Sequence, residues 1–289
     1  MEKRLTQVIL LTAGVIAAVF AHPVMADQTA PVRDSFEATE LSSIWNDRHA
    51  PANRLAIRTG DARDGRRSLA LTVRPGDNDA GCKCQRVELQ EAEEVQAEFG
   101  SQQWYRFSLR ISDFSGTQGD GRWVLGGWKQ DVDGSPFLAL RFDGGVFYIT
   151  MESAQTRIML GSTLLDARAF IQVMKGGQGQ KLGFVTDRDL YIGDSGVALK
   201  HGRVKYLPDP RAGWVDLMFH ISGGLGGDGI IEVFANGNLV VRATGRIGVD
   251  APVGSKQYFR VGHRRDKAAT SAALLLDDFR RGPTRESVE

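Results

Sequence analysis

Tyr258-Phe259-Arg260-Val261-Gly262-His263-Arg264-Arg265, followed shortly by Leu274-Leu275-Leu276-Asp277-Asp278-Phe279, decides how this chain is read. Successive side chains of an extended strand face opposite sides. Phe259 and Val261 therefore share one face, while Tyr258, Arg260, Gly262 and Arg264 share the other. His263 falls with the core-side set unless a bulge re-aims it. The second run reads as a buried strand that closes on two acids. One apolar face backed by a face of Tyr and Arg is half of a sandwich, and the polar side is a bed for an anionic sugar polymer.

Working outward, strand-like runs recur with turn signals between them, and helical periodicity is scarce after residue 30. The alternation predicts strands over 55–58, 68–73, 85–91, 104–111, 122–130, 137–142, 146–151, 169–174, 214–222, 230–235, 239–243, 257–262 and 273–280. Asp143-Gly144-Gly145 and Asn236-Gly237 are hairpin signals. The 34 glycines suit a protein of many tight turns. The segment 187–210 shows little alternation and reads as a long rim excursion. Its Gly193-Asp194-Ser195-Gly196 string is a turn, because no strand-to-helix elbow or triad order accompanies it. The expected fold is all-β, a single-domain sandwich or jelly roll of two antiparallel sheets.

A basic start, Met1-Glu2-Lys3-Arg4, precedes an apolar stretch from Val8 to Phe20 and the small-residue site Val24-Met25-Ala26. That is the pattern of a secretory signal peptide over 1–26, too short in its apolar part to span a bilayer comfortably. The expectation is an exported protein, periplasmic or extracellular, cleaved after Ala26, with its domain over 27–289. The apolar fraction of 42% is ample for a core. A net charge of +1 gives no general pull on nucleic acid or membrane, so any affinity for an anion must be local. A monomer is the expected state. Only two cysteines exist, Cys82 and Cys84. Their Cα atoms would lie ~6.5 Å apart on a strand, which leaves a bridge and two free thiols both open.

With these strands in place, the chain resembles the secreted polysaccharide lyases of the heparin-lyase and glucuronan-lyase type, which have a concanavalin-like β-jelly-roll. The resemblance spans Asp34-Ser35-Phe36-Glu37 to Asp277-Asp278-Phe279-Arg280-Arg281-Gly282. Its landmarks come in order: Arg86-Val87-Glu88-Leu89, Trp104-Tyr105-Arg106-Phe107, Gly126-Gly127-Trp128-Lys129-Gln130, Leu138-Ala139-Leu140-Arg141-Phe142-Asp143-Gly144-Gly145, Gly213-Trp214-Val215-Asp216 and Ile231-Glu232-Val233-Phe234. Two positions depart from the family pattern. Gly127 and Lys129 stand where Gln-Trp-His is usual, and Arg264 stands where a Tyr usually follows the closing Gly by two residues.

The resemblance implies cleavage of a uronate polymer by β-elimination: loss of the proton at C5 and expulsion of the oxygen at C4. Such chemistry needs a group to neutralise the carboxylate, a base and an acid. Lys129, His263 and Tyr258 are the candidates for proton transfer. Arg86, Glu88, Trp128, Gln130, Arg141, Tyr148, Arg260 and Arg264 are the candidates for holding the substrate, an acidic polysaccharide. Each has a plainer reading: solvated strand faces for the basic residues, a same-face ion pair for Arg86 and Glu88, core packing for Trp128 and Trp104. His49, His201 and His220 show no ligand spacing. Glu91 and Glu93 look like a strand running out into solvent, which leaves Glu88 without the second acid a glycoside hydrolase requires. No cofactor or catalytic metal is expected; Asp277-Asp278 offers one anchor for a structural divalent cation such as Ca2+. The rival function is a catalytically silent carbohydrate-binding or envelope protein with the same fold. A third is a structural domain without a glycan ligand.

Overall fold

The computed structural model describes residues 30–113, 121–153, 156–164, 189–192, 196–204 and 206–289. The predicted leader, the strand over 169–174 and Gly193-Asp194-Ser195 lie outside the described residues. The strands form two antiparallel sheets, of ten and of nine strands among the described residues. They pack face to face as a jelly-roll sandwich.

The ten-stranded sheet runs Asp189–Ile192, Val197–His201, Asn238–Ile247, Gly224–Ala235, Val215–Ser222, Gln103–Ser112, Ala272–Gly282, Arg67–Val73 and Leu55–Thr59, with Val32–Asp34 added against Ala272–Gly282. The nine-stranded sheet runs Thr156–Ser162, Val146–Ser153, Leu138–Asp143, Trp123–Gln130, Lys256–Arg265, Cys84–Glu91 and Trp45–His49, with Asn78–Asp79 and Ala97–Glu98 as short additions. Lys256–Arg265 is inserted between strands from early in the chain, and the strand after it crosses to the other sheet. The opening segment of the sequence therefore lies at the centre of the nine-stranded sheet.

Alternation builds the core. Phe107, Trp128, Phe219, Phe259 and Phe279 are all completely buried between the sheets. Trp128 lies 4.5 Å from Phe219 and 4.7 Å from Phe259, ring centre to ring centre. Both hairpin signals hold: Asn236 and Gly237 have φ of 47° and 77°, and Gly144 and Gly145 of 55° and 83°. In each pair both residues occupy the left-handed region that a tight two-residue hairpin turn requires.

Three expectations need correction. The excursion over 187–210 contains a hairpin, since Asp189–Ile192 pairs with Val197–His201 at the edge of the ten-stranded sheet. Glu91 does not run into solvent. It is wholly buried, accepts the backbone N–H of Phe259 at 2.7 Å and pairs with Arg281 of the opposite sheet at 2.9 Å. Asp277 and Asp278 are also taken: Asp277 accepts the backbone N–H groups of Arg63, Asp64 and Asp278, while Asp278 pairs with Arg33, Arg106 and Arg280. Cys82 and Cys84 form a disulfide across Lys83.

Candidate functional site

The outward face of the nine-stranded sheet is set by register. Lys256–Arg265 pairs Tyr258 with Lys129 and Arg260 with Gly127 on one side, and Arg260 with Gln90, Gly262 with Glu88 and Arg264 with Arg86 on the other. Since alternate residues share a face, Lys129, Arg86, Glu88, Gln90, Tyr258, Arg260 and Arg264 all project outward. A bulge around Gly126 shifts the register on both sides of its strand. Val124 consequently sits between Arg264 and Arg141, its partners on either side. A recess opens here, floored by Gly126, Gly127 and Val124 and ringed by Glu88, Lys129, Arg260 and Arg264.

Two glycines allow the backbones to approach closely here. A Cβ on Gly127 would stand 2.5 Å from the Leu138 carbonyl oxygen and 3.0 Å from Pro136 Cβ. Gly262 has φ of 137°, and a Cβ there would meet the Val87 carbonyl oxygen at 2.2 Å. Because the Leu138 carbonyl is backbone, it cannot swing aside. Gly127→Ala is expected to cost ~1–3 kcal/mol through overpacking and to lower the melting temperature by several degrees. A thermal melt monitored by far-ultraviolet circular dichroism checks this; an unchanged midpoint would refute the close approach.

The charges of the recess are unbalanced. Arg86 donates to Glu88 at 2.5 Å and to Asp79 at 3.0 Å, and Arg260 lies 3.8 Å from Glu88 while donating to Gln90 at 2.5 Å. Those two acids serve Arg86 and Arg260. Arg264 and Lys129 have no acidic partner within ion-pair distance among the described residues, and Arg264 Nε is buried without a hydrogen bond. Burial first, then the charges of Arg260, Arg264 and Arg86, push the Lys129 ammonium below the ordinary lysine value. Burial pushes the Tyr258 phenol up, so it keeps its proton through neutral pH. Its ring carries the Arg260 guanidinium 5.5 Å from the centroid.

His49, set aside in the sequence for want of ligand spacing, belongs to this cluster. It ends the edge strand Trp45–His49 and stands opposite Glu88. Burial, Arg86 and Arg260 together push its imidazole down, which keeps it neutral at pH 7. The signal was absent because Trp45-Asn46-Asp47-Arg48-His49 shows no clean alternation of apolar and polar residues.

A second polar group lies one strand beyond Val124. Arg141 is 4% exposed and donates through Nε to Thr150 Oγ1 at 2.9 Å. Tyr148, opposite Arg141, donates to Asp143, whose other oxygen accepts the Trp123 backbone N–H at 2.5 Å. Glu152 is bound to Arg157 at 2.6 Å.

Three expected residues, and Trp104 with them, stand elsewhere. His263 faces the core with no exposed surface: Trp123 Nε1–H donates to its Nδ1 at 3.2 Å, and its Nε2 lies 2.9 Å from the Leu71 carbonyl. Indole is only a donor, so the proton of this imidazole sits on Nε2 and donates to Leu71. Burial drives its pKa down to about 3, and it is removed from the proton-transfer candidates. Trp128 is core, packed between Tyr105, Phe219 and Phe259. Gln130 is buried and bonds both backbone groups of Val249, donating at 2.8 Å and accepting at 2.7 Å, so it pins a loop. Trp104 lies in the other sheet, stacked on His220 at 4.5 Å in a small cluster outside the main core. Among the described residues no three His, Cys, Asp or Glu side chains gather as a cation cage. None of the described helices is long and apolar enough to cross a membrane.

A family model described as polysaccharide lyase matches residues 36–280. No curated protein matches the chain in sequence. Among solved structures, an endo-β-1,4-glucuronan lyase from the fungus Trichoderma reesei superposes with a TM-score of 0.52 at 13% identity, over 85% of this chain and 97% of that one. The alginate lyase A1-II′, a member of polysaccharide lyase family 7, gives a TM-score of 0.47 at 15% identity, over 80% and 83% of the two chains. At such identities the likeness is one of fold.

Proposed function

The chain belongs to the polysaccharide lyase family, and from that premise we propose that it binds a uronate-containing polymer in the Lys129–Arg264 recess and cleaves it by β-elimination. One observation carries the proposal: the recess holds two basic groups, Arg264 and Lys129, with no acid within ion-pair distance among the described residues. An uncompensated cation in a half-buried recess is costly unless an anion arrives. A uronate carboxylate meets Arg264, whose planar guanidinium matches it in a bidentate fashion.

The sugar meets the recess at Val124 and Gly126, beside Pro136. Lys129, its pKa lowered, takes the C5 proton in its neutral form. Drawing the carboxylate charge onto Arg264 stabilises the carbanion-like transition state. Tyr258, adjacent to Lys129 across the strands and still protonated, gives its proton to the departing O4. Both groups rise from one sheet face, so the hydrogen at C5 and the oxygen at C4 leave from the same side of the ring. The leader predicted over 1–26 supports action outside the cytoplasm, in the periplasm or beyond the cell, where such polymers are met.

Incubation with a panel of uronate polymers, followed by the ultraviolet absorbance of the unsaturated product, tests the reading. Product is expected only from uronates whose C5–H and C4–O bonds lie on one side of the ring. Tight binding of a polymer with no absorbance rise would move the protein to the catalytically silent reading.

A further inference from the structure

Lys129 and Arg264 both line the recess, and both keep part of their surface in solvent. Of the described lysines, Lys83, Lys200, Lys256 and Lys267 are exposed, and Lys129 alone is half-buried. The charges of Arg260, Arg264 and Arg86 act on its amine, while the acid that acts on it, Glu88, is already bonded to Arg86. Burial and like charges both favour the neutral amine. A neutral amine within reach of solvent is a nucleophile as well as a base. Desolvation and neighbouring cations are the two means by which imine-forming lysines are activated.

We propose that the recess also takes small 2-oxo acids, and that Lys129 joins them reversibly as an imine. This uses the recess of the reading above but not its elimination chemistry. The carboxylate lies on Arg264, which has no acid within ion-pair distance among the described residues and whose Nε is buried without a hydrogen bond. The carbonyl carbon, next to that carboxylate, is thereby offered to the Lys129 Nζ. Nζ bonds to the carbon as the C=O π pair moves onto oxygen, and a proton passes from nitrogen to that oxygen. Water then leaves as the C–O bond breaks and the C=N bond forms. Tyr258, opposite Lys129 across the strands and still protonated, gives its proton to the departing hydroxyl and recovers one from the nitrogen. Amine and carbonyl thus become imine and one water, with no further reactant. The carboxylate sets the ligand class. It offsets the arginine charges of the recess, whereas a neutral ketone leaves them uncompensated.

The test is borohydride trapping. The full chain is incubated with pyruvate and then with sodium borohydride, which reduces an imine to a stable secondary amine, and is read by intact-protein and peptide mass spectrometry. The expected result is one carboxyethyl group per chain, on Lys129. Acetone, the same carbonyl without the carboxylate, should label Lys129 roughly ten-fold less, the worth of a charge-assisted hydrogen-bonded contact. That arm needs no variant. Arg264→Gln should lower labelling by pyruvate to a similar degree, and Lys129→Arg should abolish it. No adduct, an adduct spread over the exposed lysines, or equal labelling by acetone would overturn the assignment. Labelling requires no polymer, so a chain without lyase activity would still carry the adduct, and an unlabelled chain would leave the lyase reading standing.

Discussion

Lys129→Ala is expected to lower kcat/KM for uronate polymers by ~10²–10⁴, the usual worth of a positioned general base, while polymer affinity falls far less. Arg264 remains to hold the carboxylate, so the loss should appear in kcat rather than KM. Lys129→Arg separates charge from basicity: it restores a cation but stays protonated throughout, and it should be as inactive as the alanine variant. The pH dependence follows from the direction of the shift. A base works unprotonated, and the lysine is pushed below its ordinary value of 10.5 by burial and three arginines. Activity should therefore rise with pH through an ionisation below that value. Added salt screens the arginines and should move this limb back toward higher pH. His49 supplies the contrary outcome. Its neutral imidazole is also at the cluster, with a pKa pushed below 6.5. A rate that rises through an acidic ionisation, survives in Lys129→Ala and vanishes in His49→Ala would transfer the base role to His49.

Glu91→Ala should be the most damaging single change to stability, at ~3–5 kcal/mol, because it leaves the Arg281 guanidinium buried and unpaired. The pair has no exposed side-chain surface on either partner. Glu91 also accepts the Phe259 backbone N–H, so the variant orphans a donor in the middle of the strand that carries Tyr258 and Arg260. Urea unfolding should show a lower midpoint at an unchanged slope. Arg281→Met alone leaves Glu91 uncompensated and should also destabilise. The double variant Glu91→Met/Arg281→Met should recover much of the loss, since a buried ion pair replaced by apolar side chains is often neutral or better. Two single losses that simply add in the double variant would show that the partners are not coupled.

The in-and-out assignment of the opening segment was legible from alternation alone, and so was the position of His263 on the core side. Alternation alone does not decide 123–130: Trp123, Leu125 and Trp128 are all core, and it is the register shift at Gly126 that turns Trp128 inward and Lys129 outward. Gln130 was not legible, because its partner Val249 is 119 residues away. Glu91 misled for a related reason. A glutamate near a strand end reads as solvent-bound unless its cation is known, and Arg281 lies 190 residues on. His49 escaped because an edge strand is held by hydrogen bonds to its neighbour and needs no apolar face of its own.

By itself, then, the amino-acid sequence determined a sandwich of alternating strands, its glycine-bearing hairpins, and the side of the sheet on which each arginine of the central strand must stand. Those are local consequences of a two-residue period and of positive φ. Only the tertiary structure decided which outward residues become neighbours. Register across strands far apart in the chain puts Arg264 beside Arg86, and the bulge at Gly126 sets Val124 between Arg264 and Arg141. Pairing also determined that Asp79 and Glu88 lie with Arg86 and Arg260, while Lys129 and Arg264 have no acid within ion-pair distance among the described residues. Charge balance is a property of distances between side chains, and a sequence lists charges without their separations.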